Sequence, residues 1–184
     1  MLKKLMLCTL FLACGLYTAQ ADQNDMRLPE LFESLKAAPD KQTAQQTATQ
    51  IWEIWSEYPE NPAAEAQLAT ATLLMNNGRF AQSEDILNRL IAEHPDFAEA
   101  WNRRATLYFF QGRFEASRAD IAQTILREPA HFGALSGLGL VEMHMGNFQA
   151  ALDAYEQAVQ LHPYLEGYDE ITTNLRRSLG GVAL

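Results

Sequence analysis

Glu142 and His144 form the one carboxylate–histidine pair at short spacing that falls outside a predicted loop. General-base catalysis and zinc binding use these two groups, but both need a further partner at a defined spacing. The sequence around the pair supplies none, and it also lacks a nucleophile elbow, a phosphate loop and a zinc-binding helix. We therefore predict no catalytic residue, no metal site and no cofactor. A small-ligand binder or cryptic enzyme built on Glu142 and His144 is the alternative.

Composition restricts the remaining functions. The chain has 184 residues, of which 48% are apolar and 20% are charged, as in a globular protein. A formal net charge of -9 argues against a general nucleic-acid binder, which needs a basic face. The only cysteines are Cys8 and Cys14, so a scaffold held by disulfide bonds is excluded.

The first segment, residues 1–21, has the pattern of a secretory signal peptide. Lys3 and Lys4 precede an apolar stretch at 5–16, and Ala19-Gln20-Ala21 is a small-x-small cleavage site. The sequence thus predicts export to the periplasm, with cleavage after Ala21. An uncleaved anchor or a buried helix is the alternative interpretation.

A lipoprotein is a further possibility for the same segment. Residues 11–15 faintly resemble a lipobox, with Cys14 as the lipidated residue, although Phe11 and Leu12 stand where the box prefers leucine and a small residue. In that case the protein is an envelope-assembly factor held at the outer or inner membrane.

A pattern of 34 residues occurs three times without an insertion. Asn77-Gly78-Arg79-Phe80 is matched by residues 111–114 and 145–148, and a proline follows each segment at the same distance. The units are 64–97, 98–131 and 132–165. Repeats of this length form stacked supersecondary units.

These units resemble the tetratricopeptide repeat (TPR) family, whose unit is a helix–turn–helix. Counting each unit from one, the second has Trp101 at position 4, Ala105 at 8 and Ser117 at 20, and the third has Gly139 at 8 and Ala151 at 20. The first unit is weaker. The resemblance implies an all-α solenoid of stacked helix pairs, wound as a right-handed superhelix with a concave side.

Physical arguments agree with this resemblance. Small residues at positions 8 and 20 let the two helices of a pair approach closely, and Gly78, Gly112 and Gly146 fall where a helix C-terminus favours glycine. Position 8 also lies on one buried stripe with positions 4, 7 and 11.

Helices are also predicted on both sides of the repeats. Residues 22–63 are expected to form a degenerate repeat that caps the array, followed by a linker. Residues 166–184 are expected to form a capping helix with Ile171, Leu175 and Leu179 facing inward, and a short tail.

Binding is predicted on the concave side, which the resemblance assigns to the first helix of each unit. Position 12 is apolar in all three units and is expected to form an exposed line between charged margins at Glu65 and Glu99. Three arginines are expected to orient acidic or carbonyl groups of the partner. The candidate groove residues are Met75, Arg79, Arg103, Thr106, Phe109, Phe110, Arg113, Leu140, Met143 and His144. The alternative is that the rings and methionines pack between repeats, and Trp52 is then the next candidate.

Some TPR domains hold a terminal carboxylate with a clamp of lysine, asparagine and arginine. Here Leu68, Thr72 and Arg103 occupy the corresponding positions, so the clamp pattern fails. The sequence as a whole predicts a non-enzymatic adaptor of the cell envelope that holds a protein segment or peptide.

Overall fold

The structure is a computed structural model that describes residues 25–180. The predicted signal segment with Cys8 and Cys14, and the tail at 181–184, lie outside the described residues. Within 25–180 the chain forms nine helices and no strand, and none of these helices is long and apolar enough to cross a bilayer. Their bounds are α1 Leu28–Lys36, α2 Lys41–Ser56, α3 Pro62–Asn76, α4 Phe80–Glu93, α5 Ala98–Phe110, α6 Phe114–Arg127, α7 Phe132–His144, α8 Phe148–Leu161 and α9 Tyr168–Gly180. The predicted all-α solenoid of helix pairs is confirmed.

The first helix of every repeat ends in the same turn. Gly78, Gly112 and Gly146 have φ of +72°, +70° and +80°, the left-handed conformation that favours glycine. In the first repeat the amide of Gly78 donates to Met75 O and that of Arg79 to Leu74 O, which is a Schellman motif. The turn glycines therefore act as the sequence predicts.

The two helices of each repeat approach closely at position 8. Ser83 Oγ at position 20 donates to Ala71 O, and Ser117 Oγ donates to Ala105 O, both at 2.8 Å. In the third repeat, a Cβ atom on Gly139 would lie 2.5 Å from the ring of Tyr155, which stands at position 24. Position 8 therefore lies close to the second helix in all three repeats, and in the first two it is bonded to the serine at position 20.

Successive repeats stack along the array. Helix α4 packs on α5, α6 packs on α7, and α8 packs on α9. On α9, Leu175 is buried, and Ile171 and Leu179 pack beside it as expected, so this helix covers the C-terminal end of the array.

The hairpin of α1 and α2 departs from the expected stacking. It does not continue the array as an end cap, because α2 scarcely approaches the backbone of α3. Instead Trp55 stacks on His131 with 3.9 Å between ring centroids and packs on Phe132, while Tyr164 Oη donates to Ala38 O at 3.3 Å. The hairpin thus lies across the second and third repeats, where Trp52 and Trp55 pack on Phe132. An open cleft separates α2 from α3.

Candidate functional site

The cleft between α2 and α3 has a volume of about 760 Å³ and is lined by both helices. Trp52 from α2 and Leu68 and Leu73 from α3 contribute its apolar surface, and 63% of Leu73 is exposed. Glu53, Glu57 and Glu65 supply carboxylates, and Arg103 reaches in from α5. The cleft therefore combines an apolar surface with an acidic margin.

A second cavity of about 160 Å³ lies between α5 and α7. Its walls include Asn102, Thr106, Phe109, Phe110, Gly137 and Leu140. Phe110 is 57% exposed, whereas Phe109 is half-buried. The volume is several times the roughly 30 Å³ that one water takes up in the liquid, so this cavity has room for a side chain.

A buried polar cluster lies between the two cavities, centred on Glu99. One carboxylate oxygen of Glu99 accepts hydrogen bonds from Asn102 Nδ2 at 2.8 Å and from His131 Nε2 at 3.1 Å. The other lies 2.6 Å from Arg103 Nε, in a charge contact without the alignment of a hydrogen bond. Burial by itself raises the pKa of the Glu99 carboxyl, but the charge of Arg103 and the bonds from His131 and Asn102 outweigh it and hold the pKa below its ordinary value.

His131 connects this cluster to the hairpin. Its Nδ1 accepts the amide of Ala134 at 3.1 Å and so caps α7. An accepting Nδ1 carries no proton, so Nε2 is the atom that donates to Glu99. The ring is fully buried beneath Trp55, which gives it a structural role in this arrangement.

Five of the ten candidate groove residues line the two cavities. Thr106, Phe109, Phe110 and Leu140 surround the cavity between α5 and α7. Arg103 lines the cleft, where its guanidinium lies 5.6 Å from the centre of the Trp52 ring. Their binding role stays a prediction, but the structure brings the four on α5 and Leu140 on α7 to the walls of these two cavities.

The expected apolar line at position 12 is wrong for Met75. This side chain is 4% exposed, because it belongs to the core cluster that α3 forms with α4 and α5. Met143 is half-buried and packs in the cluster formed with α8 and α9. Glu99 is not a charged margin either, since it is fully buried.

Arg79 and Arg113 lie at the turns and line neither cavity. Arg113 Nη1 pairs with Glu84 at 2.9 Å, and its guanidinium lies 4.1 Å from the centre of the Tyr108 ring. Their role in orienting a partner stays a prediction, and in this structure the guanidinium of Arg113 is already paired with Glu84.

Glu142 and His144 do not converge on one site. Glu142 accepts from Asn147 Nδ2 at 2.6 Å, whereas the ring of His144 stacks on Phe114 and meets the edge of Phe109. Residues two apart on a helix project in different directions. Across residues 25–180, no three His, Cys, Asp or Glu side chains come together in a group that could hold a metal.

Sequence reasoning missed Glu53, Leu73 and Asn102. Asn102 occupies position 5, which the repeat pattern assigns to the concave side, so the signal was available. Glu53 and Leu73 line a cleft that exists because α2 stands apart from α3, and the repeat pattern contains no information about that separation.

Comparisons with known proteins agree with this architecture. Family models described as tetratricopeptide repeat match residues 40–107 and 102–166. A TPR repeat-containing protein of Rhizobium etli is 36% identical over 162 residues, which cover 84% of this chain and 76% of the relative.

Solved structures show the same fold at low identity. The first TPR of Spaghetti (RPAP3), bound to the HSP90 peptide SRMEEVD, has a TM-score of 0.62 and 16% identity over 64% of this chain and 93% of its own. The Sgt2 TPR domain from Aspergillus fumigatus has a TM-score of 0.61 and 17% identity, covering 66% and 82%. MamA has a TM-score of 0.61 and 18% identity, covering 86% and 84%. From its repeats, its helix pairs and its Rhizobium etli relative, the chain belongs to the tetratricopeptide repeat family.

Proposed function

We propose that this protein is a non-enzymatic interaction module that holds a peptide or helix of a partner protein on its concave side. One observation carries the proposal: two cavities with apolar walls are each bordered by an exposed apolar side chain, Leu73 at one and Phe110 at the other. Concave sites with apolar walls and a few polar groups are the usual place where a domain binds a ligand.

The structural neighbours support the same class of function. The first TPR of Spaghetti (RPAP3) is bound to an HSP90 peptide, and the second TPR domain of human RPAP3 is in complex with the HSP70 peptide SGPTIEEVD. The separation of Glu142 from His144 gives no support to an enzyme at that pair.

Site-specific photocrosslinking tests this proposal. A benzoylphenylalanine replaces Phe110 or Leu73 on the concave side, or Leu126 on α6 as the control. Leu126 is 74% exposed and lines none of the cavities described above, so it matches the others in accessibility. We expect one partner to be captured from positions 110 and 73 and not from 126. Equal capture from all three positions, or capture from 126 alone, contradicts a concave binding site.

We also propose that the protein acts in the cell envelope. The support is the signal pattern at residues 1–21, and the alternative is a lipid anchor at Cys14. Intact mass of the protein from cells distinguishes the two. A chain that starts at Asp22 supports a periplasmic protein, a chain that starts at a lipid-modified Cys14 supports the lipoprotein, and an unprocessed chain contradicts both.

A further inference from the structure

The cleft between α2 and α3 carries negative charge that its surroundings do not compensate. Glu53 and Glu65 have no ion-pair partner among residues 25–180. Arg103 is the one cation that lines the cleft, and its charge is already matched by Glu99 at 2.6 Å. A ligand entering this cleft therefore meets three carboxylates and one arginine whose charge is matched by Glu99.

Two carboxylates at the C-terminal end of α2 are unfavourable for the protein alone. Glu53 lies in the last turn of α2 and Glu57 caps the helix, where the negative end of the helix dipole disfavours carboxylates. Arg27 offsets Glu57 through a 2.6 Å ion pair, and it lines a second opening together with Glu30 and Glu53. A positively charged ligand beside Glu53 would relieve this unfavourable charge.

The neighbouring cavity supplies a different kind of contact. Asn102 is 7% exposed and uses its Nδ2 to donate to Glu99. Its Oδ1 receives no hydrogen bond from residues 25–180, and the side chain lines the cavity between α5 and α7. Phe109, Phe110 and Leu140 form apolar walls around it. An acceptor that lines a cavity with apolar walls is suited to a ligand that brings one N–H group together with an apolar side chain.

We propose that the groove binds a basic peptide segment with an apolar anchor, an inference that rests on the proposed function. The anchor side chain enters the cavity between α5 and α7, and the adjacent backbone N–H donates to Asn102 Oδ1. Lysine or arginine side chains of the same segment lie beside Glu53 and Glu65 in the cleft. Arg103 lines the cleft and its chain neighbour Asn102 lines the cavity, so the two regions adjoin on α5 and one ligand segment can reach both.

Other occupants fit the charges less well. An acidic peptide such as SRMEEVD would bring carboxylates to Glu53 and Glu65. A second copy of this chain, with a formal charge of -9, would repel the first at an acidic cleft.

A random library identifies the preferred ligand without assuming it. Twelve-residue peptides displayed on phage are selected on the immobilised protein, and the enriched sequences are synthesised for calorimetry. We expect an apolar residue flanked by lysine or arginine, with these basic residues at least twice as frequent as in the input library.

Matched variants then place the basic residues in the cleft. In Glu53→Gln/Glu65→Gln the dissociation constant of the selected peptide should rise at least ten-fold. Glutamine at 65 retains an acceptor for the amide of Tyr58, which Glu65 Oε1 binds at 2.7 Å. The control Glu93→Gln/Glu115→Gln makes the same charge change on exposed positions outside the cleft and should leave binding unchanged.

The outcomes separate this inference from the proposed function. The selected peptides could be neutral or acidic and lose affinity for Phe110→Ala. That result would contradict the basic ligand but would support peptide binding at this site. Binding indifferent to the cleft variants likewise overturns the inference. Failure to select any peptide overturns the inference, and the crosslinking experiment then judges the proposed function separately. Sedimentation could instead show that the protein is a dimer, and that a substitution adding charge in the cleft dissociates it. That result would assign the site to a second copy of this chain.

Discussion

Two kinds of contact hold this molecule together, and they use different side chains. One lies within each repeat, and the other joins the α1–α2 hairpin to the repeats. Within each repeat, small residues at positions 8 and 20 let two helices touch, and the arrangement recurs every 34 residues. The hairpin instead depends on a set of aromatic side chains that occurs once. Trp55 packs against His131 and Phe132, and its Nε1 donates to Glu128 at 3.2 Å.

This difference has consequences for stability and for function. A repeated contact distributes the stabilisation over all three units, so the loss of one contact weakens one interface. The hairpin concentrates its stabilisation in few residues, and it also forms one wall of the acidic cleft. Detachment of the hairpin would therefore remove one wall of the acidic cleft and leave the repeats in place.

Trp55→Ala should have the largest effect. The side chain is 4% exposed, and large aromatic-to-alanine changes in cores destabilise by about 3–5 kcal/mol. Because its contacts join the hairpin to the second and third repeats, we expect hydrogen exchange to accelerate mainly in α1 and α2. Denaturant unfolding measures the free energy, and mass spectrometry locates the exchange.

Trp101→Ala is the matched control for this prediction. Trp101 lies within the second repeat and donates its Nε1 to Pro95 O at 2.9 Å, and the hairpin is not among its partners. Its loss should leave α1 and α2 protected. Uniform exchange across all helices in Trp55→Ala would show that the hairpin and repeats unfold as one unit.

Gly139→Ala tests the repeated type of contact. The new Cβ would meet the Tyr155 ring at 2.5 Å, and overpacking of this kind destabilises by about 1–3 kcal/mol. Gly137→Ala is the control in the same helix, because its Cβ would have only an ordinary 3.7 Å contact with Ile121 Cδ1. Alanine is the better helix former, so the control should be neutral or more stable. Equal melting temperatures for the two variants would be incompatible with the close approach at position 8.

Ser117→Ala should have a smaller effect on the same type of contact. It removes the hydroxyl that donates to Ala105 O, and one such hydrogen bond contributes about 1 kcal/mol. Ala151→Ser introduces the hydroxyl in the third repeat, where position 20 lacks it, and should be neutral to mildly stabilising. Thermal unfolding compares the two. If Ser117→Ala were more stable than the wild type, or Ala151→Ser much less stable, the hydroxyl at position 20 would not be what stabilises the contact between the two helices of a repeat.

The repeated part of the molecule was predictable because its signals are local. The turn glycines need a positive φ, and Gly139 needs room for Tyr155, so residue type and spacing determine both. The same reasoning placed four residues, Thr106, Phe109, Phe110 and Leu140, around one cavity.

The one-off contacts were not predictable in this way. Met75 fits an exposed stripe by its helical position, but the stacking of the next repeat buries it. The separation of α2 from α3 follows from Trp52 and Trp55 packing on distant residues, and no spacing in the sequence encodes that pairing. Consequently the acidic cleft, which depends on this separation, emerged only from the three-dimensional arrangement.

Acidification should have the smallest effect, at the junction of the hairpin with the third repeat. His162 is buried at the C-terminal end of α8, where its ring meets Phe132, a member of the apolar cluster that holds the hairpin. Within residues 25–180 it has no ion-pair partner, and burial lowers the pKa of His162 below its ordinary value of 6.5. The folded state thus favours the neutral ring, so the stability it contributes is complete above pH 6.5 and is lost as pH falls from there through the folded pKa.

His162→Gln identifies this contribution, because glutamine does not titrate. Glu128 has the opposite sign, since burial raises the pKa of its carboxyl and the folded state then gains stability relative to the unfolded chain as pH falls. Each unit of difference between the folded and unfolded pKa corresponds to only about 1.4 kcal/mol, which is why this effect ranks last.

The experiment compares the melting temperatures of the wild type and of His162→Gln. They are measured from about pH 7.5 to about pH 5, on both sides of the ordinary histidine pKa. We expect the wild type to lose more stability than the variant below pH 6.5. Parallel curves would show that protonation of His162 does not weaken the junction. A loss of stability at more acidic pH would then come from carboxyl groups whose pKa is lowered in the folded state, such as Glu99.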